Sequence, residues 1–130
     1  MNPGESVDYL SVDDLLEIAA SLLPRVEIRD QGLLASAAGR PRSSVFGTDA
    51  YPRFEEKVAA LLHSIARNHA LIDGNKRLAW GAARVFCLLN GRDVELDTDE
   101  AEAMVVGAAD GSLDVAALSR LIAGALRSEP

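Results

Sequence analysis

Aromatic side chains make up only 5% of this 130-residue chain: three Phe, two Tyr and one Trp. A core must then be built mainly from aliphatic side chains, and the Ala and Leu that abound here favour helices over strands. A single cysteine, Cys87, excludes an internal disulfide. Basic residues are also scarce, with 13 Lys and Arg against 20 Asp and Glu for a net charge of −7. That balance argues against a dedicated nucleic-acid or anionic-membrane binder, because both rely on a broad basic surface. Any anion site has to be local. No apolar run approaches the roughly 18 residues of a membrane span. Asp8, Asp13 and Asp14 interrupt the region where a signal peptide's apolar stretch would lie, so a cytoplasmic protein is expected. Internal repeats, low-complexity tracts and linkers are missing too, which leaves one domain.

Apolar periodicity divides that domain into six helices and sets the fold class as all-α. Residues 1–10, with Pro3 and Gly4 and no period, read as a loose lead-in, and residues 11–126 as the folded domain. Ser11, followed by Asp14, caps a helix carrying Leu15, Ile18, Ala19 and Leu22 that Pro24 closes. A shorter helix follows over QGLLASAAG, ending near Gly39. The irregular segment 40–52 has a β-prone core at Val45 and Phe46 before Gly47, and reads as an exposed loop or small hairpin. Pro52, at an N1-like position, opens a third helix with Phe54, Val58, Leu62 and Ile65 on its buried face. The fourth begins at NKRLAW and ends at Gly91. It places Leu78, Ala82, Val85 and Leu89 on one stripe and, being apolar on more than one side, is expected at the centre. RDVELD reads as a short extended connection. Thr98 then caps a fifth helix, and Ser112 or Asp114 a sixth running through Leu118, Ile122 and Leu126.

The chemistry concentrates in RNHALIDGNKRLAW, residues 67–80. Gly74 and Asn75 stand where a loop becomes a helix, and a helix start offers unpaired backbone N–H groups and the positive end of the macrodipole. Lys76 and Arg77 add two formal charges there, although cations oppose the dipole at that end by a few tenths to about 1 kcal/mol. An anion held between them offsets that cost. Asp73, just before the cradle, is the single carboxylate that a Mg²⁺ ion shared with a nucleotide takes from a protein. His69 supplies an imidazole suited to proton abstraction near neutrality. Together they form the parts of a phosphate-transfer site. The string is not a Walker P-loop, and no second histidine completes a zinc motif with His69.

HALIDGNKR resembles the signature of the Fic/Doc family, His-x-Phe-x-Asp/Glu-Gly-Asn-x-Arg, and the Lys before the Arg resembles its Doc (death on curing) branch. RDQGLLASAAGRPR, YPRFEEKVAALLHSIARNH, FCLLNGRDVEL and GAADGSLDVAALSRLI follow the family's order, over roughly residues 11–126. The resemblance implies a Fic fold, a helical bundle of about six helices with a short flap, and a toxin of a toxin-antitoxin pair. Such a toxin is a kinase that transfers the γ-phosphate of ATP to a threonine of elongation factor Tu and blocks translation, with a Phd-like antitoxin as its separate partner. By resemblance His69 is the base, Asp73 the Mg²⁺ ligand, and Gly74, Asn75, Lys76 and Arg77 the phosphate cradle. Ser43, Ser44, Val45 and Phe46 fall in the flap that pairs with the target by strand addition.

Leu71 stands where the family has Phe, an apolar exchange. The AMP-transferring branch has a small residue before the Arg and a second Arg three positions beyond it, where this chain has Lys76 and Trp80. That favours phosphoryl transfer, with AMP transfer and a catalytically silent antitoxin-binding module as the alternatives. The nearest match to the family's inhibitory helix, TDEAEA at 98–103, lacks its final Gly or Asn, so inhibition in trans is expected. Simpler roles suit the remaining residues: His63, Trp80 and Cys87 as structural, and DVELDTDE as a solvated acidic run. Arg67 adjoins the site, where it either helps hold phosphate or only favours the dipole at a helix end.

Overall fold

The computed structural model describes residues 6–128. Six helices, α1 (Val12–Leu22), α2 (Gln31–Gly39), α3 (Phe54–Asn68), α4 (Asn75–Leu89), α5 (Thr98–Asp110) and α6 (Val115–Ala125), make up most of it. Two short antiparallel pairs accompany them: β1 (Ser44–Val45) with β2 (Thr48–Asp49), and β3 (Arg92–Val94) with β4 (Leu126–Ser128). The expected all-α class and the small hairpin are both present. No helix among the described residues is long and apolar enough to cross a membrane.

Helix boundaries follow capping chemistry more closely than the apolar pattern alone. Ser11 and Asp14 form the reciprocal capping box expected of them, and Asp114 rather than Ser112 caps α6. For α5 the cap is Asp97, whose carboxylate accepts from the Glu100 N–H at 2.8 Å, so Thr98 is the first helical residue instead. Pro52 lies before the Arg53 cap of α3, not at N1, and the Glu56 side chain accepts the Arg53 N–H at 3.2 Å. Leu126 has left α6 for β4, where it pairs with Val94. Gly91 takes the left-handed backbone expected of a residue just past a helix, φ 74°.

The centre of the molecule is α3, not α4. Ten of its 15 residues are buried, and it packs against α2, α4, α5 and α6. Helix α4 covers one side of it with Leu78, Ala79, Ala82, Ala83, Phe86 and Cys87, so the buried stripe runs through these and leaves Val85 and Leu89 exposed. On α1 likewise the inward positions are Leu15, Ala19 and the C-cap Leu23, with Leu22 outside. With few rings available, small residues let the helices approach closely, and the ring contacts at the core are Phe86 with Phe54 and Tyr9.

Of the expected lead-in, residues 1–5 lie outside the described residues. Residues 6–10 are held in place: Leu10 is buried, Tyr9 stacks on Phe86, and the Asn90 amide donates to the Asp8 carbonyl and accepts the Asp8 N–H, both at 2.9 Å.

Two polar clusters tie the β1–β2 hairpin and the segments that flank it to α3. Lys57 is buried, and its ammonium reaches Asp49 Oδ2 at 3.3 Å and the Pro41 carbonyl at 3.5 Å. Arg40 donates to the Tyr51 hydroxyl, to Ser64 Oγ and to His63 Nδ1, each at 2.9 Å. Among the described residues no buried side-chain polar atom lacks a partner. His63 is therefore the structural histidine expected, and burial, with Arg40 and Arg67 adding to it against Asp114, lowers its pKa. A depressed histidine pKa means the unfolded chain binds the proton more readily, so this stabilisation is complete above the ordinary value of 6.5 and is lost as pH falls towards the folded value. Urea midpoints measured from about pH 7 down to about pH 5 are expected to drop for the natural chain and to drop less for His63→Gln.

Candidate active site

Helix α3 ends at Asn68, and His69 caps it in the left-handed region at φ 53°, ψ 48°. For a residue with a Cβ this backbone costs about 1–2 kcal/mol and persists only where the surroundings enforce it. They do so from both sides. Ala70 and Leu71, both buried, anchor the loop in the core, with Leu71 filling the role expected for the family's Phe. On the other side, the connector between α1 and α2 bonds along the loop: Arg29 and Asp30 N–H groups donate to the Ala70 carbonyl at 2.8 and 3.0 Å, and the Ile72 N–H donates to the Glu27 carbonyl at 2.9 Å.

The loop then turns into α4. Asn75 closes it from within, its amide accepting the Leu71 N–H at 3.0 Å and donating to the Leu71 carbonyl at 2.8 Å. The side-chain oxygen and one of its two N–H donors are thus spent on the loop, and the Asn75 backbone N–H stays at the start of the helix. Asp73 Oδ1 accepts the Gly74 N–H at 2.8 Å, which removes Gly74 as a donor. The first bond of the helix runs from the Leu78 N–H to the Gly74 carbonyl, 2.9 Å, so the N–H groups of Asn75, Lys76 and Arg77 precede it. Gly74 has φ 90°, and a Cβ there would lie 2.6 Å from Leu23 Cδ1. Gly74→Ala is expected to cost at least about 1–2 kcal/mol from the backbone alone, read as a lower denaturation midpoint at unchanged m-value.

His69, Asp73, Gly74, Asn75, Lys76 and Arg77 all line one pocket of about 290 Å³ at the start of α4, with Ala66, Ile72 and Ala109 completing it. All six residues that the sequence singled out around this loop are thus brought together. His69, Asp73, Lys76 and Arg77 are exposed, and among the described residues no side chain hydrogen-bonds or ion-pairs with Lys76 or Arg77. No group of three or more His, Cys, Asp or Glu gathers among the described residues, so these residues alone build no metal cage. Asp73 fits a Mg²⁺ that takes its other ligands from phosphate oxygens and water.

Ser43, Ser44, Val45 and Phe46 do not line this pocket. They sit on the hairpin, whose Phe46-Gly47 turn has φ 51° and 79°, the geometry of a type I′ connection. Phe46 is wholly exposed, at 102%.

Aligned to known proteins, residues 9–87 match the Fic/DOC family profile. The chain is also 42% identical over 120 residues to the protein named Toxin Doc from Mycolicibacterium smegmatis, an alignment covering 90% of this chain and 92% of that one. The chain belongs to the Fic/Doc family.

The acidic run departs from its sequence reading, Trp80 does so in part, and Cys87 keeps its structural role. In this Fic/Doc chain Trp80 is only partly buried and forms, with Lys76, Arg77, Arg84 and the segment from Asp93 to Thr98, the wall of a second cleft of about 820 Å³ against α5. The acidic run is accordingly not a plain solvated face: Val94 is buried, Asp93 pairs with Arg84 at 3.2 Å and Asp97 caps α5. Arg67 donates to the carbonyl of Ala109, a residue of the His69 pocket, at 3.2 Å. Cys87 is fully buried, and burial, with Asp93 beside it, pushes its thiol up to about 12, so it is no nucleophile.

Proposed function

We propose that the chain is the toxin of a toxin-antitoxin pair, a protein kinase that moves the γ-phosphate of ATP to a threonine of elongation factor Tu and so blocks translation. The observation that carries this reading is the single pocket bordered by a base, a carboxylate and two cations at a helix start. Family membership and the likeness to Toxin Doc support the toxin role.

In this mechanism the γ-phosphate lies against the N–H groups of Asn75, Lys76 and Arg77, with the two side-chain cations over it. The threonine hydroxyl passes its proton to the His69 imidazole as its oxygen bonds to the γ-phosphorus. The bond from that phosphorus to the bridging oxygen breaks and ADP leaves. Mg²⁺, held by Asp73, would neutralise charge on the phosphate oxygens. The target chain pairs with the hairpin at Ser43, Ser44 and Val45, and Phe46 enters an apolar recess of the target. Phe46→Ala is expected to change stability by less than about 0.5 kcal/mol and to raise the KM for the target about tenfold with kcat kept. A Phd-like antitoxin silences the enzyme in trans, since α5 begins as an ordinary capped helix without the inhibitory motif.

AMP transfer is the second reading, favoured by the 820 Å³ cleft, which shares Lys76 and Arg77 with the smaller pocket. Label transfer separates the two. Elongation factor Tu labelled from γ-labelled ATP and not from α-labelled ATP is expected; the reverse would establish AMP transfer, and no label from either would leave the silent antitoxin-binding module.

A further inference from the structure

His69 sits where a helix gives way to the loop, and its carbonyl is held from outside that helix. Helix α3 ends there with carbonyls that no helical N–H can reach. Arg29, on the connector between α1 and α2 and 40 residues away in sequence, supplies the donors: Nε to the His69 carbonyl at 2.7 Å and Nη2 to the Asn68 carbonyl at 3.1 Å. The same residue's backbone N–H bonds to the Ala70 carbonyl at 2.8 Å, and its neighbour Ile28 forms a β-bridge with Leu71. One arginine therefore grips three consecutive carbonyls, those of residues 68, 69 and 70, around the only left-handed residue in the loop that bears a side chain.

We propose that Arg29 is the positioning residue of His69. Its planar fork fixes the peptide that follows His69, and with it the left-handed φ and ψ that aim the imidazole into the pocket. A cation at the end of α3 also suits the helix dipole, but a point charge would serve that purpose equally. Two carbonyls held in fixed register need the guanidinium geometry. Arg29 touches neither ATP nor target in this scheme and acts only through His69, so the proposal rests on His69 being the base.

The test uses Arg29→Lys, which keeps the charge and loses the fork, beside Arg29→Ala. The chain has two histidines, so ring resonances of His63 and His69 in the NMR spectrum can be assigned by substituting either one. His69 ring signals are expected to shift or broaden in both variants while those of His63 stay. The kcat for transfer to elongation factor Tu should fall about 10- to 100-fold, the scale on which small misplacements act, with both KM values within about twofold. Unmoved His69 signals in Arg29→Lys, with kcat within about twofold of the natural chain, would reduce Arg29 to an ordinary end cap. Should the natural chain transfer nothing to any target, the phosphoryl-transfer reading fails, and the ring signals alone still decide whether Arg29 sets His69.

Discussion

Replacing His69 by Asn is expected to lower phosphoryl transfer by about 10²–10⁴-fold, the range that a positioned general base contributes. Asn is the better choice over Ala because position 69 has φ 53°, and Asn tolerates the left-handed region more readily than other residues with a Cβ. The loop should then keep its conformation, since its anchors at Ala70, Leu71 and Asn75 and the bonds from Arg29 involve no atom of the imidazole. The thermal midpoint should therefore stay near that of the natural chain. Steady-state rates on elongation factor Tu, paired with a melting curve, check both halves. Full activity in His69→Asn would remove the imidazole from the mechanism.

Arg77→Ala is expected to move activity and stability in opposite directions. Arg77 borders the pocket beside the N–H groups that precede the first bond of α4. Without it, charge developing on the transferred phosphate loses a donor in the cradle, an effect of about 10²–10³ in kcat. Yet the substitution also takes a cation from the positive end of the α4 dipole, which should stabilise the fold by about 0.3–1 kcal/mol. Denaturant midpoints and single-turnover rates measured on the same variant test the pair. A destabilised Arg77→Ala protein would mean that the side chain serves the fold and is not kept in an unfavourable place for an anion.

The candidate site was more legible in the sequence than the packing around it. His69, Asp73, Gly74, Asn75, Lys76 and Arg77 lie within nine consecutive positions, so a single loop and helix start suffice to bring them together, and local spacing reports that directly. The cap of α1 is readable for the same reason, and that of α6 to within Ser112 or Asp114, being contacts over a few residues. What escaped depends on distant partners. Arg29 looks like any exposed connector arginine until the fold brings it to the end of α3. Lys57 reads as a surface cation on an amphipathic helix, and only Asp49 and the Pro41 carbonyl make its burial tolerable. The choice of α4 as the central helix failed because Val85 and Leu89 are apolar yet face outward, and hydrophobicity alone does not show which of two apolar sides meets the core. Trp80, expected in the core, packs against it while only partly buried and also walls the larger cleft.

Phosphoryl transfer at the His69 pocket can be read from the intact mass of elongation factor Tu. Purified protein, free of antitoxin, is incubated with the factor and Mg-ATP, and the factor is weighed before and after. A gain of about 80 Da, absent with His69→Asn, is the predicted result. A gain of about 329 Da, the mass of an AMP group, or no gain at all would contradict it.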